Sequence, residues 1–583
     1  MDKAFENCVV ELCSIIIQPI DEIYKIIAVE KCRKKFKLDT STFSEKYSKL
    51  LQDTKENGTI YTPAEISNYI IKNTISPLDI IKNPYLKVVD PACGSGNIII
   101  PCFMLLKEMY VKNMKKINEK HSINLNMDNL NKHILDNNLF GFDLDEFALK
   151  VLLIDLFCVA KYVNINNFFP DDFLISEINL KFDIIIGNPP YVGHKMVNKD
   201  YSKLLKEKYQ GIYRDKGDIS YCFFKKSISL LSGSGKLGFI TSRYFIESSS
   251  GTELRKLLNR DYALVKLVDF YGVRPFKGIG IDPAIVFMNF NKRNKNIKVI
   301  KPLESKARYK EEFIQSVLFG KGDSYRQFSI SPEELKETGW ILKSEAELNI
   351  YKKIEEKCSL RLRDISTSYQ GIITGCDKAF VLDSKTAEIE KIELELLKPW
   401  IKSSFIEKGN VREAGNLLIY ADLITEEELF PNAIKFISNY KSKLMERREY
   451  KTGARKWYML QWGRKQSTFE NKKIIFPYKS SNNRFAIDSG SYFSADVYSL
   501  VLNENSSISY EKLVRILNSN TYEYYFKSFA KKLGEDQFEY YPNNLMKLYI
   551  PVASDSDFLN EKDILEYFNF TEEEIAIINH INK

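Results

Sequence analysis

FDIIIGNPPYVG, residues 182–193, is the part of this chain from which its architecture follows most directly. Its apolar run, 182–186, predicts a buried β-strand, and the Gly-Asn-Pro-Pro-Tyr sequence at 187–191 predicts a rigid polar turn after that strand. Each proline fixes its own φ, and Pro190 keeps Pro189 out of the helical region, so the carbonyl groups of the turn point in set directions. The stretch therefore predicts a sheet whose carboxyl edge carries fixed hydrogen-bond acceptors and an aromatic ring.

The residue types in this turn suit a planar amine. The lone pair of an exocyclic amine on a nucleobase is delocalised into the ring, so that nitrogen is a poor nucleophile. The side-chain oxygen of Asn188 and the carbonyl oxygen of Pro189 can accept its two N–H groups and free the lone pair, while Tyr191 can stack on the base. A tight turn that merely ends a strand is the alternative, and an isolated turn of this sequence leaves both interpretations open.

The surrounding sequence alternates between strands and helices. Apolar strand runs occur at 87–89, 139–142, 182–186, 236–240, 264–269 and 284–290, with longer helical segments between them. This alternation predicts an α/β domain with a mostly parallel sheet covered by helices on both faces. At 583 residues the chain exceeds one ordinary core. We expect a helical segment at 1–57, the α/β domain at 58–295, a lysine-rich linker at 296–339 and a mixed α+β domain at 340–583.

A glycine-rich loop follows the first strand of this domain. The segment DPACGSGN at 90–97 lies between a strand and a helical pattern, which is the order typical of a nucleoside-binding site. Gly94 and Gly96 fit a dinucleotide fingerprint, but Ile99 stands at its third glycine position. The loop therefore favours a compact nucleoside over a pyrophosphate.

Acidic residues follow the next two strands. Asp143 is placed where ribose hydroxyls would lie, and Asp172, followed by Phe173, suits an adenine amino group. Each acid alone can be an ordinary turn residue. Their position after a glycine loop and before the 187–191 turn favours a binding site.

A helix start is predicted upstream of the loop. Thr62 as N-cap, Pro63 at the first helical position and Glu65 at the third form a capping box. The amino end of that helix would suit the carboxylate of an amino-acid group. The alternative is a well-capped helix with no further role.

The composition excludes several classes of protein. Nine cysteines, without a C-x-x-C pair or a Cys/His ligand spacing, predict reduced thiols and argue against a structural zinc site. No stretch is apolar and long enough to span a bilayer, and the first residues do not resemble a leader. We therefore expect a cytoplasmic monomer that needs neither a membrane nor a metal.

The formal net charge of +8 is concentrated in one stretch, 441–484, called here the basic region. It holds thirteen Lys or Arg against three Glu, a net +10, so the remainder sums to −2. Aromatic residues, including Trp457 and Trp462, interleave with these cations. This composition suits phosphates and exposed bases, although a charge run is more commonly only a solvated face. We expect base edges to be read by some of Arg447, Arg448, Arg455, Arg464 and Arg484.

The motifs together resemble a known family. GTIYTP at 58–63, DPACGSGN at 90–97, GFDLD at 141–145, DDFL at 171–174 and NPPY at 188–191 occur in the order of the γ-class N6-adenine DNA methyltransferases, and the chain resembles the clostridial orphan members of that class. The chain beyond Trp340 resembles the TaqI-like C-terminal specificity domain. That resemblance rests on YQGIITGCDKAFVL at 369–382, KKIIFPYKSSNNRFAID at 472–488 and LNSNTYEYYFK at 517–527.

The resemblance implies a Rossmann-like domain that uses S-adenosyl-L-methionine, joined to a domain that recognises double-stranded DNA. It implies a cofactor site made of Tyr61, Thr62, Asp90, Ala92, Cys93, Gly94, Asp143, Asp172, Phe173 and Asn188. It also implies catalysis at Asn188, Pro189, Pro190 and Tyr191, with Phe276 against the other face of the target base. Lys195 and Lys199 are expected to hold phosphates beside that base.

The implied reaction requires base flipping, because the N6 atom cannot meet a methyl donor while it is paired and stacked. A cytosine-C5 mechanism is excluded because Cys102, in the one Pro-Cys sequence, falls inside a predicted helix. The lack of a nuclease motif favours an orphan enzyme for epigenetic marking. A modification subunit of a restriction-modification or phage-defence system, an RNA or protein-glutamine methyltransferase, and a DNA-binding protein with a decayed fold are the alternatives.

Overall fold

A computed structural model of the chain describes residues 2–38, 42–54, 62–193, 197–214, 217–259, 263–276, 281–290, 294–303, 310–320, 324–413, 415–533, 537–551, 558 and 560–580. The chain divides into a first unit, Met1–Leu342, and a second unit, Lys343–Lys583.

One sheet organises the first unit. Its strands are β1 (Val88–Asp90), β2 (Leu139–Asp143), β3 (Phe168–Pro170), β4 (Phe182–Gly187), β5 (Leu231–Ser242), β6 (Leu264–Asp269), β7 (Pro283–Asn289), β8 (Ile297–Pro302) and β9 (Tyr325–Ile330). They lie in the order β3-β2-β1-β4-β5-β7-β6-β8-β9. The first five of these are parallel, and β7 is antiparallel to both neighbours. The predicted α/β class is confirmed, and the strand order reverses between β1 and β4, where such sheets bind ligands.

Helices surround this sheet. They are α1 (Lys3–Ile17), α2 (Glu22–Phe36), α3 (Phe43–Thr54), α4 (Ala64–Thr74), α5 (Pro77–Lys82), α6 (Ile99–His121), α7 (Leu130–Asn137), α8 (Glu146–Ala160), α9 (Lys199–Lys208), α10 (Ser220–Leu230), α11 (Thr252–Asn259) and α12 (Lys310–Phe319). Helix α8 is apolar nearly all round because it packs on β2 and β3 and is covered in turn by α1 and α3. The face of α1 that carries Phe5, Val9, Leu12 and Ile16 is buried. The N-terminal helices thus belong to the core of the first unit.

The expected linker at 296–339 is instead folded. It contains β8, α12 and β9, and β8 pairs in parallel with β6 while β9 pairs antiparallel with β8. In β8, Ile297, Val299 and Ile300 are buried and Lys298 is exposed, while Lys301 is buried with its Nζ 3.8 Å from Asp269 Oδ2. The linker prediction was wrong because a strand that carries lysines resembles a charged connection in sequence.

The expectation of reduced thiols is also corrected at one place. Cys8 of α1 and Cys32 of α2 form a disulfide. Seven further cysteines are free thiols.

The second unit combines short strands and helices. Its strands are β10 (Leu360–Arg361), β11 (Ser366–Gln370), β12 (Val381–Asp383), β13 (Leu397–Ile401), β14 (Asn416–Ile419), β15 (Lys473–Pro477), β16 (Lys479–Ser480), β17 (Ala486–Asp488), β18 (Tyr492–Phe493), β19 (Val497–Leu502), β20 (Phe538–Glu539) and β21 (Tyr549–Ile550). Its helices are α13 (Glu345–Lys357), α14 (Leu362–Ile365), α15 (Asp377–Phe380), α16 (Ser384–Ile389), α17 (Pro431–Ser438), α18 (Lys441–Met445), α19 (Arg448–Lys451), α20 (Ser467–Glu470), α21 (Tyr510–Leu517), α22 (Asn520–Lys527), α23 (Pro542–Leu545), α24 (Glu561–Phe568) and α25 (Glu572–His580). Two four-stranded sheets, β11-β19-β15-β17 and β12-β14-β13-β18, each border a hydrophobic core.

Candidate functional site

The loop after β1 and the turn after β4 meet where the strand order reverses. We call this place the switch-point edge and define it as residues 90–97, Asp143 and residues 187–191. Gly187 allows the two connections to meet, because a Cβ atom there would lie 2.9 Å from Asp90 Oδ1. Asp90 is buried, and its Oδ1 accepts a hydrogen bond from Ala92 N at 3.0 Å. Burial raises the pKa of Asp90 to about 8.

The glycine loop has the conformation that its residues predict. Gly94 and Gly96 have φ values of +51° and +96°, which lie in the region that favours glycine. A Cβ atom on Gly96 would lie 2.4 Å from a methyl group of Leu152 on α8. No described atom lies within 4 Å of a Cβ atom built on Gly94, so the loop faces open space there.

Asp143 lies beside this loop, although α6 and α7 separate the two in sequence. Its Oδ2 accepts a hydrogen bond from Gly94 N at 2.7 Å, and Cys93 N donates to Phe142 O at 2.9 Å. Burial raises the pKa of Asp143, while hydrogen bonds from the backbone of Asp145 and Gly94 oppose that shift. The structure thus brings the glycine loop and the predicted ribose acid together.

The third predicted acid is held by α9. Asp172 Oδ2 accepts from Tyr201 Oη at 2.8 Å, and Asp172 Oδ1 accepts from Leu174 N at 2.8 Å. Phe173 is buried, with its ring parallel to that of Phe223 at 5.8 Å between centroids. Tyr201 is a site residue that sequence reasoning missed, because only folding brings α9 to this loop.

The 187–191 turn forms a hydrogen-bonded group with Thr62. Asn188 Nδ2 donates to Thr62 Oγ1 at 2.9 Å, and Tyr191 Oη donates to Asn188 Oδ1. Tyr191 is buried, and burial raises the pKa of its phenol far above the ordinary value, so the hydroxyl keeps its proton. The turn is held further by the loop before α10, since Ile219 N donates to Val192 O at 3.2 Å.

This geometry corrects the predicted capping box. Helix α4 begins at Ala64, its N-cap is Pro63, and no side chain bonds to the cap. The hydroxyl of Thr62 instead accepts from Asn188, across 126 positions of sequence. The physical reason is that the hydroxyl faces the turn and not its own helix.

The remaining predicted residues of the first unit are scattered. Tyr61 and Lys195 lie outside the described residues. Lys199 is exposed at the first position of α9. Phe276 is buried in the hydrophobic core of the unit.

Part of the basic region serves the fold of the second unit. Arg447 is 9% exposed, and its Nε, Nη1 and Nη2 donate to the carbonyl oxygens of Leu444, Thr374 and Trp457. Arg455 Nη1 donates to Asp422 Oδ2 at 2.9 Å. The prediction that Arg447 reads a base edge is corrected, because its donors satisfy backbone carbonyls.

The prediction that Trp457 contacts DNA is corrected for a similar reason. It is 9% exposed, and Lys441 Nζ lies 4.6 Å from its ring centroid. The indole thus packs in the core and under a cation of its own unit.

Other predicted side chains of the basic region reach the surface. Trp462 is 45% exposed, and Arg448 and Arg464 are exposed. Arg464 has a φ of +66°, and its Nη2 donates to Gln370 Oε1 at 3.1 Å. Strained backbone of this kind is common at binding sites. Gln370, at the end of β11, is a residue that the sequence alone did not single out.

Arg484 is only partly exposed. Its Nε donates to Ser480 Oγ at 3.0 Å, and its Nη1 donates to Ile406 O at 3.1 Å. Arg484 therefore differs from Arg448 and Arg464, which are exposed.

The residues that the structure describes hold no group of three or more His, Cys, Asp or Glu that could bind a metal ion. Over the same part of the chain, every helix is too short or too polar to cross a bilayer.

Three family descriptions match parts of the chain. The Eco57I restriction-modification methylase family matches residues 137–276. The DNA-methyltransferase domain of MmeI matches residues 80–177, and the TaqI-like C-terminal specificity domain matches residues 422–552.

Curated relatives extend the likeness. The Type II methyltransferase M.HindII of Haemophilus influenzae is 31% identical over 382 residues, which are 60% of this chain and 70% of that protein. The Type II methyltransferase M.BstVI of Geobacillus stearothermophilus is 24% identical over 531 residues, which cover 85% of this chain and 90% of the relative. The chain is also 25% identical to the Type II restriction enzyme and methyltransferase RM.Eco57I of Escherichia coli, of which it spans 54%.

A solved structure shares the fold. The Type IIL restriction-modification enzyme MmeI in complex with DNA has a TM-score of 0.56 at 14% identity, over 88% of this chain and 74% of that chain. The expected cofactor of such a protein is S-adenosyl-L-methionine. The chain belongs to the Type II restriction-modification methylases and is a DNA methyltransferase with a TaqI-like specificity domain.

Proposed function

We propose that the chain is a site-specific DNA adenine-N6 methyltransferase of the γ class that acts on an adenine flipped out of duplex DNA. The observation that carries this proposal is the Asn188-Pro189-Pro190-Tyr191 turn at the end of β4, beside the glycine loop 90–97. A rigid pair of acceptors next to a nucleoside-binding loop suits methylation of a planar amine.

The switch-point edge fits S-adenosyl-L-methionine. The loop faces open space at Gly94, and Asp143 offers carboxylate oxygens to ribose hydroxyls beside it. Asp172 is the acceptor for the adenine amino group, and Asp90 faces the same edge from β1. When bound, the cofactor supplies a methyl group on a positively charged sulfonium. A cation near Asp90 would favour its ionised form and lower its raised pKa.

Asn188 and Tyr191 prepare the position of the target amine. The Tyr191 hydroxyl donates to Asn188 Oδ1, as an N–H group of adenine would. Entry of the base replaces this hydroxyl, and the tyrosine ring then stacks on the base. Thr62 keeps the Asn188 amide turned so that its oxygen faces Tyr191. Asn188 Oδ1 and the Pro189 carbonyl would hold the two N–H groups of N6 so that its lone pair faces the methyl group that the cofactor would supply, and the proton that N6 loses would pass to water.

The exposed cations of the second unit are proposed to hold duplex DNA. Arg448, Arg464 and Trp462 present charge and an aromatic face to solvent. Lys199 is proposed to contact phosphate beside the flipped nucleotide. The likeness to MmeI, which was solved in complex with DNA, supports a duplex as substrate.

The biological setting has two candidates. An orphan enzyme that marks the chromosome in the cytoplasm, acting as a monomer, is the first. The second is the modification half of a restriction-modification system, which the restriction-modification relatives favour. Deletion of the gene separates them: a viable strain with changed transcription supports marking, whereas death that is rescued by loss of a nuclease supports restriction.

The reaction is tested by transfer of labelled methyl groups from S-adenosyl-L-methionine to duplex genomic DNA, followed by mass spectrometry of the nucleosides. We expect N6-methyladenine with the wild type and none above background with Asn188→Ala. Methylation of structured RNA but not of duplex DNA would contradict the DNA substrate and indicate an RNA methyltransferase. Cofactor binding without any methylated nucleoside would contradict the proposal.

A further inference from the structure

The N-terminal helices are tied to the helix that follows Asp143. Asp155 of α8 is buried, and its Oδ1 and Oδ2 accept from Phe43 N at 3.1 Å and Ser44 N at 2.8 Å. A carboxylate at the amino end of α3 satisfies two donors that a helix leaves unpaired. Helix α3 therefore has a defined position on α8.

One turn further along α3, Tyr47 reaches the start of α8. Its hydroxyl donates to Asp145 Oδ2, and its ring lies 5.2 Å from that of Phe147 between centroids. Tyr47 is 3% exposed. Burial, followed by the hydrogen bond to Asp145, raises the pKa of the phenol, so Tyr47 remains a donor.

Asp145 connects this hydroxyl to the switch-point edge. Its Oδ1 accepts from Phe147 N at 3.0 Å and Ala148 N at 3.1 Å, so it caps α8. Its own backbone N donates to Asp143 Oδ1 at 2.8 Å. The other oxygen of Asp143 accepts from Gly94 N. A continuous series of hydrogen bonds thus runs from Tyr47 through Asp145 and Asp143 to the glycine loop.

We propose that Tyr47 is a positioning residue for cofactor binding, which holds the 143–145 turn so that Asp143 keeps both its bond to Gly94 and its orientation toward ribose. The inference rests on the proposed role of Asp143. It assigns a role in the site to the N-terminal helices, whose sequence indicated only a helical segment.

Several features separate positioning from simple packing. Phe147 and Phe5 already supply apolar contacts between the N-terminal helices and α8, so the hydroxyl of Tyr47 is not needed for burial. Asp145 is exposed on its other side, so water can solvate it when the hydroxyl is removed. Loss of the hydroxyl should therefore change the orientation of the turn more than the stability of the unit.

The test uses the full chain with Tyr47→Phe, and it measures binding of S-adenosyl-L-methionine by calorimetry. We expect affinity to fall about fivefold, because the lost hydrogen bond holds the 143–145 turn without contacting the cofactor, so only part of its free energy affects binding. The KM for the cofactor should rise by a similar factor, while kcat and the KM for DNA stay within about twofold. Tyr24→Phe is the matched control, because Tyr24 lies in the same helical segment and is 64% exposed.

A double-mutant cycle tests the connection through Asp145. Asp145→Ser keeps a cap for α8 but removes the oxygen that accepts from Tyr47. We expect Tyr47→Phe to change affinity by less than about twofold in the Asp145→Ser background. Effects that multiply would contradict the proposal, as would a Tyr47→Phe variant that binds like the Tyr24→Phe control. If Tyr47→Phe does not fold, Asp145→Ser alone must weaken binding, and unchanged binding overturns the inference.

Failure of the proposed function gives a different result. A wild-type chain that does not bind S-adenosyl-L-methionine would remove the role of Asp143 itself. A wild type that binds, together with unchanged binding by Tyr47→Phe, removes only the role of Tyr47.

Discussion

At the switch-point edge of the first unit, the residues that the motifs single out bond to one another, whereas in the basic region several of the singled-out side chains bond to the fold of their own unit. Asp143 accepts a hydrogen bond from Gly94, which belongs to a different motif, and Tyr191 donates to Asn188 within the same turn. In the basic region, the guanidinium of Arg447 donates its hydrogen bonds to backbone carbonyl oxygens of its own unit. The difference is that a strand-loop-helix motif specifies where its residues lie, while a charge run specifies only composition.

This comparison also separates the two tryptophans of the basic region. Trp457 is buried, whereas Trp462 is 45% exposed, although the two are close in sequence. Composition cannot distinguish them, because a buried indole and a base-stacking indole satisfy the same sequence pattern. Four experiments test the contrast between the two regions.

The largest effect is expected at the switch-point edge. Asn188→Ala should lower kcat by about 10³-fold, because a fixed acceptor for the target amine is lost. Thr62→Val should lower kcat by only about tenfold, since it removes the partner of the Asn188 amide and leaves the oxygen in place. Steady-state methyl transfer at saturating substrate concentrations measures both. Equal losses would contradict the ranking, and an unchanged midpoint of thermal unfolding in both variants is the control for folding.

Substitution of Trp457 should affect stability, whereas substitution of Trp462 should affect DNA binding. Trp457→Ala should lower the free energy of unfolding of the second unit by about 3 to 5 kcal/mol, as expected for a buried aromatic residue. Trp462→Ala should change that free energy by less than about 0.5 kcal/mol and weaken DNA binding by about 1 to 2 kcal/mol. Urea unfolding and fluorescence anisotropy with duplex DNA measure the two quantities. DNA binding that is unaffected by Trp462→Ala would remove this residue from the proposed surface.

The neighbouring arginines offer a matched pair. Arg447→Ala should destabilise the second unit by about 2 kcal/mol, because three carbonyl oxygens lose their donor. Arg448→Ala should leave stability nearly unchanged and reduce the slope of log affinity for DNA against log salt by about 1. Thermal unfolding and a salt titration of DNA binding report on these effects. A loss of stability in Arg448→Ala as large as that in Arg447→Ala would contradict the distinction between an exposed and a structural arginine.

The smallest effect concerns pH. Burial raises the folded-state pKa of Asp90 to about 8, whereas the carboxyl of an unfolded chain titrates near 3.9. Between these values the folded chain holds a proton that the unfolded chain releases, so the contribution of Asp90 to stability falls as pH rises through this window. The wild type should lose on the order of 1 kcal/mol relative to Asp90→Asn between about pH 6 and pH 7. Parallel pH dependence of unfolding in the two proteins would contradict the raised pKa.

Much of the first unit could be predicted from local sequence. The six apolar runs fall on β1, β2, β4, β5, β6 and β7, because burial on both faces makes a strand of this sheet continuously apolar. The missed strands β8 and β9 carry Lys298, Lys301 and Arg326, so their charge resembles that of a connection, and β9 forms the edge of the sheet. The capping box failed for a different reason, since Thr62 found a partner far away in sequence.

The sequence by itself determined which residue types lie at the ends of the strands, because strand period, glycine φ and proline rigidity are local properties. Only the tertiary structure decided which partner each of them takes. Tyr47, Tyr201 and Gln370 carry no local signal, and they acquire roles through contacts between elements distant in sequence. The same applies to Arg447 and Arg448, since burial of a cation depends on the surrounding carbonyl groups and not on its own identity.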